Sequence, residues 1–156
     1  MKLVITVMCS VLLFAASAAA SKGMPVTLPE NSPVAPILDE AKRLEAEARD
    51  IARQLRAKKA DVSRAAERME VLENHLRELE SHIAAFEAAK PPLNTAQEAQ
   101  FERIKAISAS LQAVTTAKKA TIESSDSRKR DLLRAHAIGI ARRAEMLQQA
   151  ALRMGA

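Results

Sequence analysis

The sequence predicts an all-α fold, a long antiparallel helical hairpin or coiled coil that is either continuous or bent or broken near Ser125 into three helices. An apolar stripe with a period of about 3.5 residues runs from Ile37 to Phe86, which is typical of a helix that packs along its whole length. The chain of 156 residues is 48% hydrophobic, with 2% aromatic residues and 3 glycines. This composition favours one long-helix domain over a compact globule.

The first element is predicted to be a secretory signal peptide over residues 1–20. Lys2 precedes an apolar run, and Ala18-Ala19-Ala20 fit a cleavage site. An uncleaved membrane anchor over residues 3–20 is the alternative, because such a run approaches the length of a membrane span. The single cysteine, Cys9, lies inside this segment, so the mature chain would depend on packing without disulfides. The protein is therefore expected in the periplasm or outside the cell.

The next two elements are a tether and a long helix. Residues 21–36 are predicted to be an extended proline-rich tether, because proline fixes φ and lacks a backbone donor. A coiled-coil helix follows over residues 37–90, which no glycine or proline interrupts. Its predicted interaction seam consists of apolar side chains and one lysine: Leu44, Ile51, Leu55, Lys58, Met69, Leu72, Leu76, Leu79, Ile83 and Phe86.

A short turn over residues 91–94 is predicted to end this helix, because Pro91-Pro92 cannot continue it. Thr95-Ala96-Gln97-Glu98 fit a capping box, which predicts the start of a return helix over residues 95–154. So short a connection makes the two helices antiparallel neighbours. Residues whose numbers sum to about 187 are then expected to face each other, as a consequence of that turn.

The return helix contributes the second side of the seam. Phe101 is expected to face Phe86 beside the turn, and the residues that this helix adds are Phe101, Ile104 and Leu111. The apolar stripe fails across residues 118–131 and resumes one residue out of phase at Leu133. Under the pairing rule this polar zone lies opposite Lys58. Two interpretations are open: Lys58 extends to water along its aliphatic stem, or the zone is a hinge near Ser125.

Charge is unevenly distributed along the chain. Residues 37–90 hold 11 basic and 12 acidic residues, whereas residues 95–154 hold 11 basic and 6 acidic residues. A basic patch is predicted from Lys118, Lys119, Arg128, Lys129, Arg130, Arg134, Arg142 and Arg143. It is either a solvated helix surface or a surface for anionic membranes. No nucleic-acid partner is expected, since stacking aromatic residues are lacking.

Catalytic, cofactor and metal sites are not expected. His75, Glu78 and His82 lie on one helix face, but the two histidines are about 10.5 Å apart along the axis, whereas metal-binding pairs usually lie four residues apart. His136 has no serine or cysteine nucleophile that its position brings near, and the chain has no glycine-rich phosphate loop.

The function predicted from these features is that of an exported, non-catalytic coiled-coil protein. It would act as a scaffold, spacer or adaptor through helix–helix contacts with protein partners or with further copies of itself. The alternative is a periplasmic chaperone-like or anionic-lipid-binding protein that uses its basic C-terminal half. Because two lone helices bury a thin core, self-association into a four-helix bundle or a higher assembly is expected.

Overall fold

The computed structural model describes Leu28 and residues 32–57, 60–123 and 128–155, apart from the side chains of residues 118–120 and 123. Within these ranges the chain forms four α-helices and no strand, which confirms the predicted all-α class. The helices are α1 (Ala35–Gln54), α2 (Val62–Ala89), α3 (Thr95–Glu123) and α4 (Lys129–Gly155). The predicted signal peptide, with Cys9, lies outside the described residues, and so does Ser125.

The long helix predicted over residues 37–90 is two helices in the structure, so that prediction was wrong. α1 ends at Gln54 and α2 begins at Val62. The start of α2 is fixed by Asp61, whose Oδ1 accepts a hydrogen bond from the backbone N–H of Arg64 at 2.9 Å. The apolar spacing continues across the break, and no glycine or proline marks it. A heptad pattern alone therefore predicts one helix where a capping aspartate divides two.

The turn between α2 and α3 lies where the two prolines predicted it. Lys90 adopts the left-handed conformation with φ of 44°. The α3 N-terminus is closed by Asn94, whose Oδ1 accepts from the Gln97 N–H at 2.9 Å while Gln97 Oε1 accepts from the Asn94 N–H at 3.1 Å. The capping box therefore begins one residue before the predicted Thr95–Glu98 pair, because asparagine caps a helix at least as well as threonine.

The four helices pack as a bundle in which each helix contacts the next and α4 also contacts α1. The rings of Phe86 and Phe101 lie 4.9 Å apart, which confirms their predicted pairing beside the turn. The predicted pairing rule, in which paired residue numbers have a roughly constant sum, also holds approximately between α1 and α4, where Arg49 and Glu145 form an ion pair at 3.2 Å. The two breaks let the chain fold back, so that α1 also packs on α2 and α3 on α4.

Most of the core of α4 is made of small residues. The stripe that was predicted to resume after the polar zone is buried throughout: Leu133, Ala137, Ile140, Ala144, Leu147, Ala151 and Met154. Alanine side chains allow close approach of neighbouring helices, and the most extensive contacts in the bundle are those of α4 with α1 and with α3.

The second break falls within the predicted hinge over residues 118–131. α3 continues to Glu123 and α4 starts at Lys129, so the first part of that hinge is helical. Thr121 is buried there between α3 and α4, and its hydroxyl lies 3.1 Å from His136 Nε2. A polar contact thus takes the place of the apolar stripe at this height of the bundle.

Part of the predicted tether packs against the bundle. Val34 is buried, and Leu28 lies so close to Gly155 that a Cβ atom there would be 2.1 Å from Leu28 Cδ2. α1 starts at Ala35 with Pro36 in its first turn, where a missing N–H costs no hydrogen bond. These described residues of the tether are therefore attached to the core instead of extended in solvent.

The four-helix arrangement that was expected from self-association is formed within one chain. The apolar stripes of all four helices meet in one cluster, and the large apolar side chains left exposed on the described residues are Val71 at 42%, Leu132 at 39% and Met146 at 44%. Covering the apolar faces therefore does not require a second copy in this conformation.

Replacing Leu79 by alanine is expected to lower the free energy of unfolding by about 3 kcal/mol, because the side chain is fully buried and would leave a cavity. Val71→Ala is the matched control on the same helix, and it is expected to cost less than about 0.5 kcal/mol, since Val71 is exposed. Denaturant unfolding followed by circular dichroism measures both. Equal losses in the two variants would contradict this orientation of α2.

Candidate functional site

The predicted seam residues lie in the bundle core. Lys58 is outside the described residues, and the other predicted members are buried: Leu44, Ile51, Leu55, Met69, Leu72, Leu76, Leu79, Ile83, Phe86, Phe101, Ile104 and Leu111. In this conformation they contact other helices of the same chain. A surface for a partner has to be sought on the outside of the bundle.

A polar link between α1 and α2 centres on Arg68. Its guanidinium lies 2.8 Å from Glu47 Oε1 and 2.6 Å from Asp50 Oδ2. The hydrogen bond and the charge of Arg68 lower the pKa of Asp50, whereas Glu47, and then Asp50, raise the pKa of Arg68. Because the side chain of Arg68 is about three-quarters covered, this pair of contacts fixes the register of α1 on α2.

A buried carboxylate provides the second link between these helices. Glu40 is buried in α1, where its Oε1 contacts His75 Nδ1 and its Oε2 accepts from Arg43 at 3.2 Å. Potential ligand atoms of Glu40, His75 and Glu78 lie within 4.8 Å of one another. Glu40 of α1 therefore joins His75 and Glu78, and His82, the third residue noted in the sequence, is not part of this group. Both Glu40 oxygens already have partners within the chain, so the cluster is explained as a link between α1 and α2 without a bound metal ion.

An open groove runs between α2 and α3. At its wide end a cavity of about 520 Å³ is lined by Glu67, Glu70, Val71, Glu73, Asn74, Arg77 and Ile122. It continues towards the turn as a cavity of about 340 Å³ that reaches Leu76, Glu80 and Gln112. We call this surface the α2–α3 groove. Its apolar lining consists of Val71, Leu76 and Ile122, and its α2 wall has more acidic than basic side chains, with Glu67, Glu70, Glu73 and Glu80 beside Arg77.

The groove follows from the sequence of α3. Near the turn the helices are held together by Phe86 with Phe101 and by Lys105 with Glu87 at 3.1 Å. Beyond Val114 the helix has no large apolar side chain until Ile122, so little of it packs on α2. The apolar stripe fails over residues 118–131, where one interpretation of the sequence was a hinge. The same loss of apolar side chains leaves the α2–α3 groove open.

The charges of the bundle are divided between two helices that lie diagonally across it. α2 contains six acidic and three basic residues, whereas α4 contains six basic and two acidic residues. The contacts between α2 and α4 are few. One side of the protein is therefore acidic and the opposite side basic, although the whole chain carries a formal charge of +5.

The structure divides the predicted basic patch. Arg143 is half-buried, donating to Ser110 Oγ at 2.7 Å and to the Gly139 carbonyl at 3.0 Å, and Arg130 lies 3.2 Å from Asp131. Lys129 donates to the Ile122 carbonyl. The placements of the remaining members are as follows: Arg128 and Arg142 are exposed, Arg134 is half-buried, and the side chains of Lys118 and Lys119 are outside the described set.

Arg134 instead joins a cleft between α1 and α4. The cleft has a volume of about 500 Å³ and is lined by Ala46, Arg49, Ala52, Arg53, Arg56, Arg134 and Ile138. The buried Nε of Arg134 has no hydrogen-bond partner within the described part of the chain. We call this surface the arginine cleft. Sequence analysis missed its α1 arginines, although the pairing rule places residue 53 opposite residue 134.

Comparisons with known protein families, with curated proteins and with solved structures find no match to this chain. Among the helices that the structure describes, none combines the length and the apolar character needed to cross a membrane.

Replacing Arg68 by methionine is expected to flatten the dependence of stability on acid pH. The pKa of Asp50 is lowered in the folded state, so its ion pair stabilises the protein above the ordinary aspartate pKa and is lost as pH falls through the lowered value. Unfolding free energies measured between about pH 6 and pH 2 test this, with Arg64→Met as the control on the same helix. Parallel pH profiles for wild type and Arg68→Met would contradict the assignment.

Proposed function

We propose that the protein is an exported, non-catalytic adaptor or scaffold that binds a basic amphipathic helix of a partner protein in the α2–α3 groove. The observation that carries this proposal is a set of apolar side chains bordered by an acidic wall, in the most loosely packed pair of adjacent helices in the bundle. Helix-in-groove recognition uses such a surface, with apolar anchors below and charges at the rim.

The size of the groove suits one helix. Between Glu67 and Glu80, where α2 lines the groove, the helix extends about 20 Å, which corresponds to roughly 13 residues of a partner helix. Val71 and Ile122 supply apolar contact at the wide end, and Leu76 lies in the floor further along. Glu67 and Glu70 are exposed at the rim, where lysine or arginine of a partner would meet them.

A non-catalytic role is supported by how the polar groups of the groove are used. Gln112 donates to Glu80 across the groove, and between the groove and the turn Lys105 pairs with both Glu87 and Glu102. These contacts hold the helices together. A catalytic site would instead direct an activated acid, base or nucleophile into an enclosed space, and the cavities of the groove are open to solvent.

Reversing charge at the rim is expected to weaken binding of a basic amphipathic helix at least tenfold. The probe is a labelled peptide of about 20 residues with leucine at heptad core positions and lysine elsewhere, titrated by fluorescence anisotropy. The Glu67→Lys/Glu70→Lys double variant tests the acidic wall, and Val71→Glu tests the floor. Glu78→Lys reverses one charge on the face of α2 towards α1, as the single variants Glu67→Lys and Glu70→Lys do at the rim, and unlike them it is expected to change affinity less than twofold.

Two results would contradict the assignment of the α2–α3 groove as the site for a basic helix. One is equal weakening by Glu78→Lys, which would indicate binding by net charge alone. The other is the absence of saturable binding to the wild-type protein at low salt. A photo-crosslinking side chain at position 71 then identifies the natural partner in cells, with position 88 on the exposed end of α2 as the reference.

A second candidate function, binding of an anionic membrane surface, is favoured by the arginine cleft. Arg49 and Arg53 are paired with carboxylates, whereas the side chains of Arg56 and Arg134 have no hydrogen bond or ion pair within the described residues. Alanine and isoleucine side chains lie beside them in the cleft. Unpaired guanidinium groups next to apolar surface suit a lipid phosphate and the start of its chains.

The Arg56→Gln/Arg134→Gln variant is expected to lose most co-sedimentation with vesicles that contain phosphatidylglycerol at low salt. The Arg64→Gln/Arg103→Gln variant removes the same charge from exposed positions outside the cleft and is expected to retain it. Neutral vesicles provide the baseline. Failure of the wild-type protein to co-sediment, or equal loss in both variants, would remove this second candidate.

A further inference from the structure

The end of α1 lacks the features that stop a helix. Residues 55–61 contain neither glycine nor proline, and Leu55 keeps right-handed helical dihedrals with φ of −69° and ψ of −8°. One hydrogen bond of α-helical spacing continues beyond Gln54, from Leu55 N–H to Ile51 O at 3.0 Å, and a tighter turn follows, from Ala57 N–H to Gln54 O at 3.2 Å. The end of α2, by contrast, has a left-handed residue followed by two prolines.

The apolar stripe keeps its phase across this connection. Ile51 and Leu55 before the break and Ala65 and Met69 after it are all buried, and the steps of four and three residues between them run on through positions 58 and 62. If the connection only joined two separate helices, the heptad positions of the buried residues in α1 and α2 would not need to continue one another. The sequence of the connection therefore also suits a single helix from α1 through α2.

The contacts between α1 and α2 are arranged about a centre at residue 58. Glu47 pairs with Arg68, and Glu40 pairs with His75, so that each pair of residue numbers sums to 115. Two continuous helices placed antiparallel about a two-fold axis at residue 58 would bring the same pairs together. Each α1 would then meet Arg68 and His75 of a second copy instead of its own.

We propose that α1 exchanges between two copies of this chain. The connection over residues 55–61 becomes helical, one helix of about 80 Å runs from Ala35 to Ala89, and each α1 packs on α2 and α4 of the other copy. The exchanged dimer keeps the helix–helix contacts of the closed bundle. The proposal goes beyond the proposed function, because binding in the α2–α3 groove does not require α1 to move.

Two features hold the closed form against exchange. The Asp61 cap of α2 exists only while the helix is broken, since the Arg64 N–H would otherwise bond within the helix. Arg56, Lys58 and Lys59 from both copies would also meet at the two-fold axis, with Asp61 as the only acid in the connection. Screening of this repulsion by salt is therefore expected to favour the dimer.

The test measures a distance within one chain. In a Cys9→Ser background, cysteines at Asp39 and Glu78 carry spin labels on exposed positions of α1 and α2. In the closed bundle these positions lie on adjacent helices at one height, within about 25 Å, whereas a continuous helix separates them by about 58 Å. Labelled protein is diluted with an excess of unlabelled full chain, so that pulsed electron paramagnetic resonance reports pairs within a chain.

Light scattering is expected to detect a dimer that increases with protein concentration and salt, and the dimer fraction is expected to show the long distance. Asp61→Ala removes the cap, and Asp61→Asn removes the same charge but keeps a capping side chain. Asp61→Ala is expected to dimerise at least roughly tenfold more tightly than Asp61→Asn. The reason is that two Asp61→Asn chains give up two helix caps when they form the dimer, whereas Asp61→Ala has no cap to give up. Ala57→Gly/Ala60→Gly keeps every charge, disfavours the continuous helix and is expected to weaken the dimer.

Three outcomes would overturn the proposal. These are a dimer with only the short intramolecular distance, a monomer for Asp61→Ala at high protein and salt concentrations, and equal dimerisation of Asp61→Ala and Asp61→Asn. Binding of the basic helical peptide is measured on the same samples. Loss of exchange with intact peptide binding would remove this inference alone, and loss of peptide binding with intact exchange would remove only the proposed function.

Discussion

The bundle depends on the close approach that the small residues of α4 allow. Ala137, Ala144 and Ala151 are buried along one stripe, with Ala141 and Ala150 beside it, so two neighbours can pack tightly on the same helix. α1 and α3 occupy those positions and make the most extensive contacts of the fold. α2 is then left to pack mainly on α1, and its contact with α3 is loose except near the turn. The α2–α3 groove is a consequence of this unequal packing.

Charge strengthens the same asymmetry. The helix that packs most extensively, α4, is the basic one, and the helix that borders the groove, α2, is the acidic one. Because they lie diagonally, their charges do not neutralise each other by direct contact. The polar links between helices instead join adjacent pairs: α1 is linked through Arg68 on α2 and Glu145 on α4, and α3 is linked through Glu80 on α2 and Arg143 on α4. The outer faces of α2 and α4 remain available to partners of opposite charge.

The sequence predicts the parts of this fold that depend on side-chain period and on helix breakers. The buried stripes, the proline turn and the pairing of Phe86 with Phe101 all follow from local patterns with one dominant cause. The break before Asp61 does not, because a single capping hydrogen bond competes there against an uninterrupted run of helix formers. The Glu40–His75 contact was missed for a related reason, because it joins α1 to α2 only after the chain folds back at that break. The arginine cleft lies between helices that the pairing rule already places side by side, so its position follows from the predicted hairpin.

The region around residue 58 combines two preferences that the same sequence supports. The heptad phase and the lack of a helix stop favour one long helix, whereas the Asp61 cap and the basic side chains favour a broken one. Exchange of α1 would leave the α2–α3 groove of each copy intact, because α1 does not line it. In an antiparallel pair of continuous helices, the two grooves would lie towards opposite ends of an object about 80 Å long. If the proposed groove function holds, such a dimer would present two grooves at a fixed spacing and would gain avidity from that geometry alone.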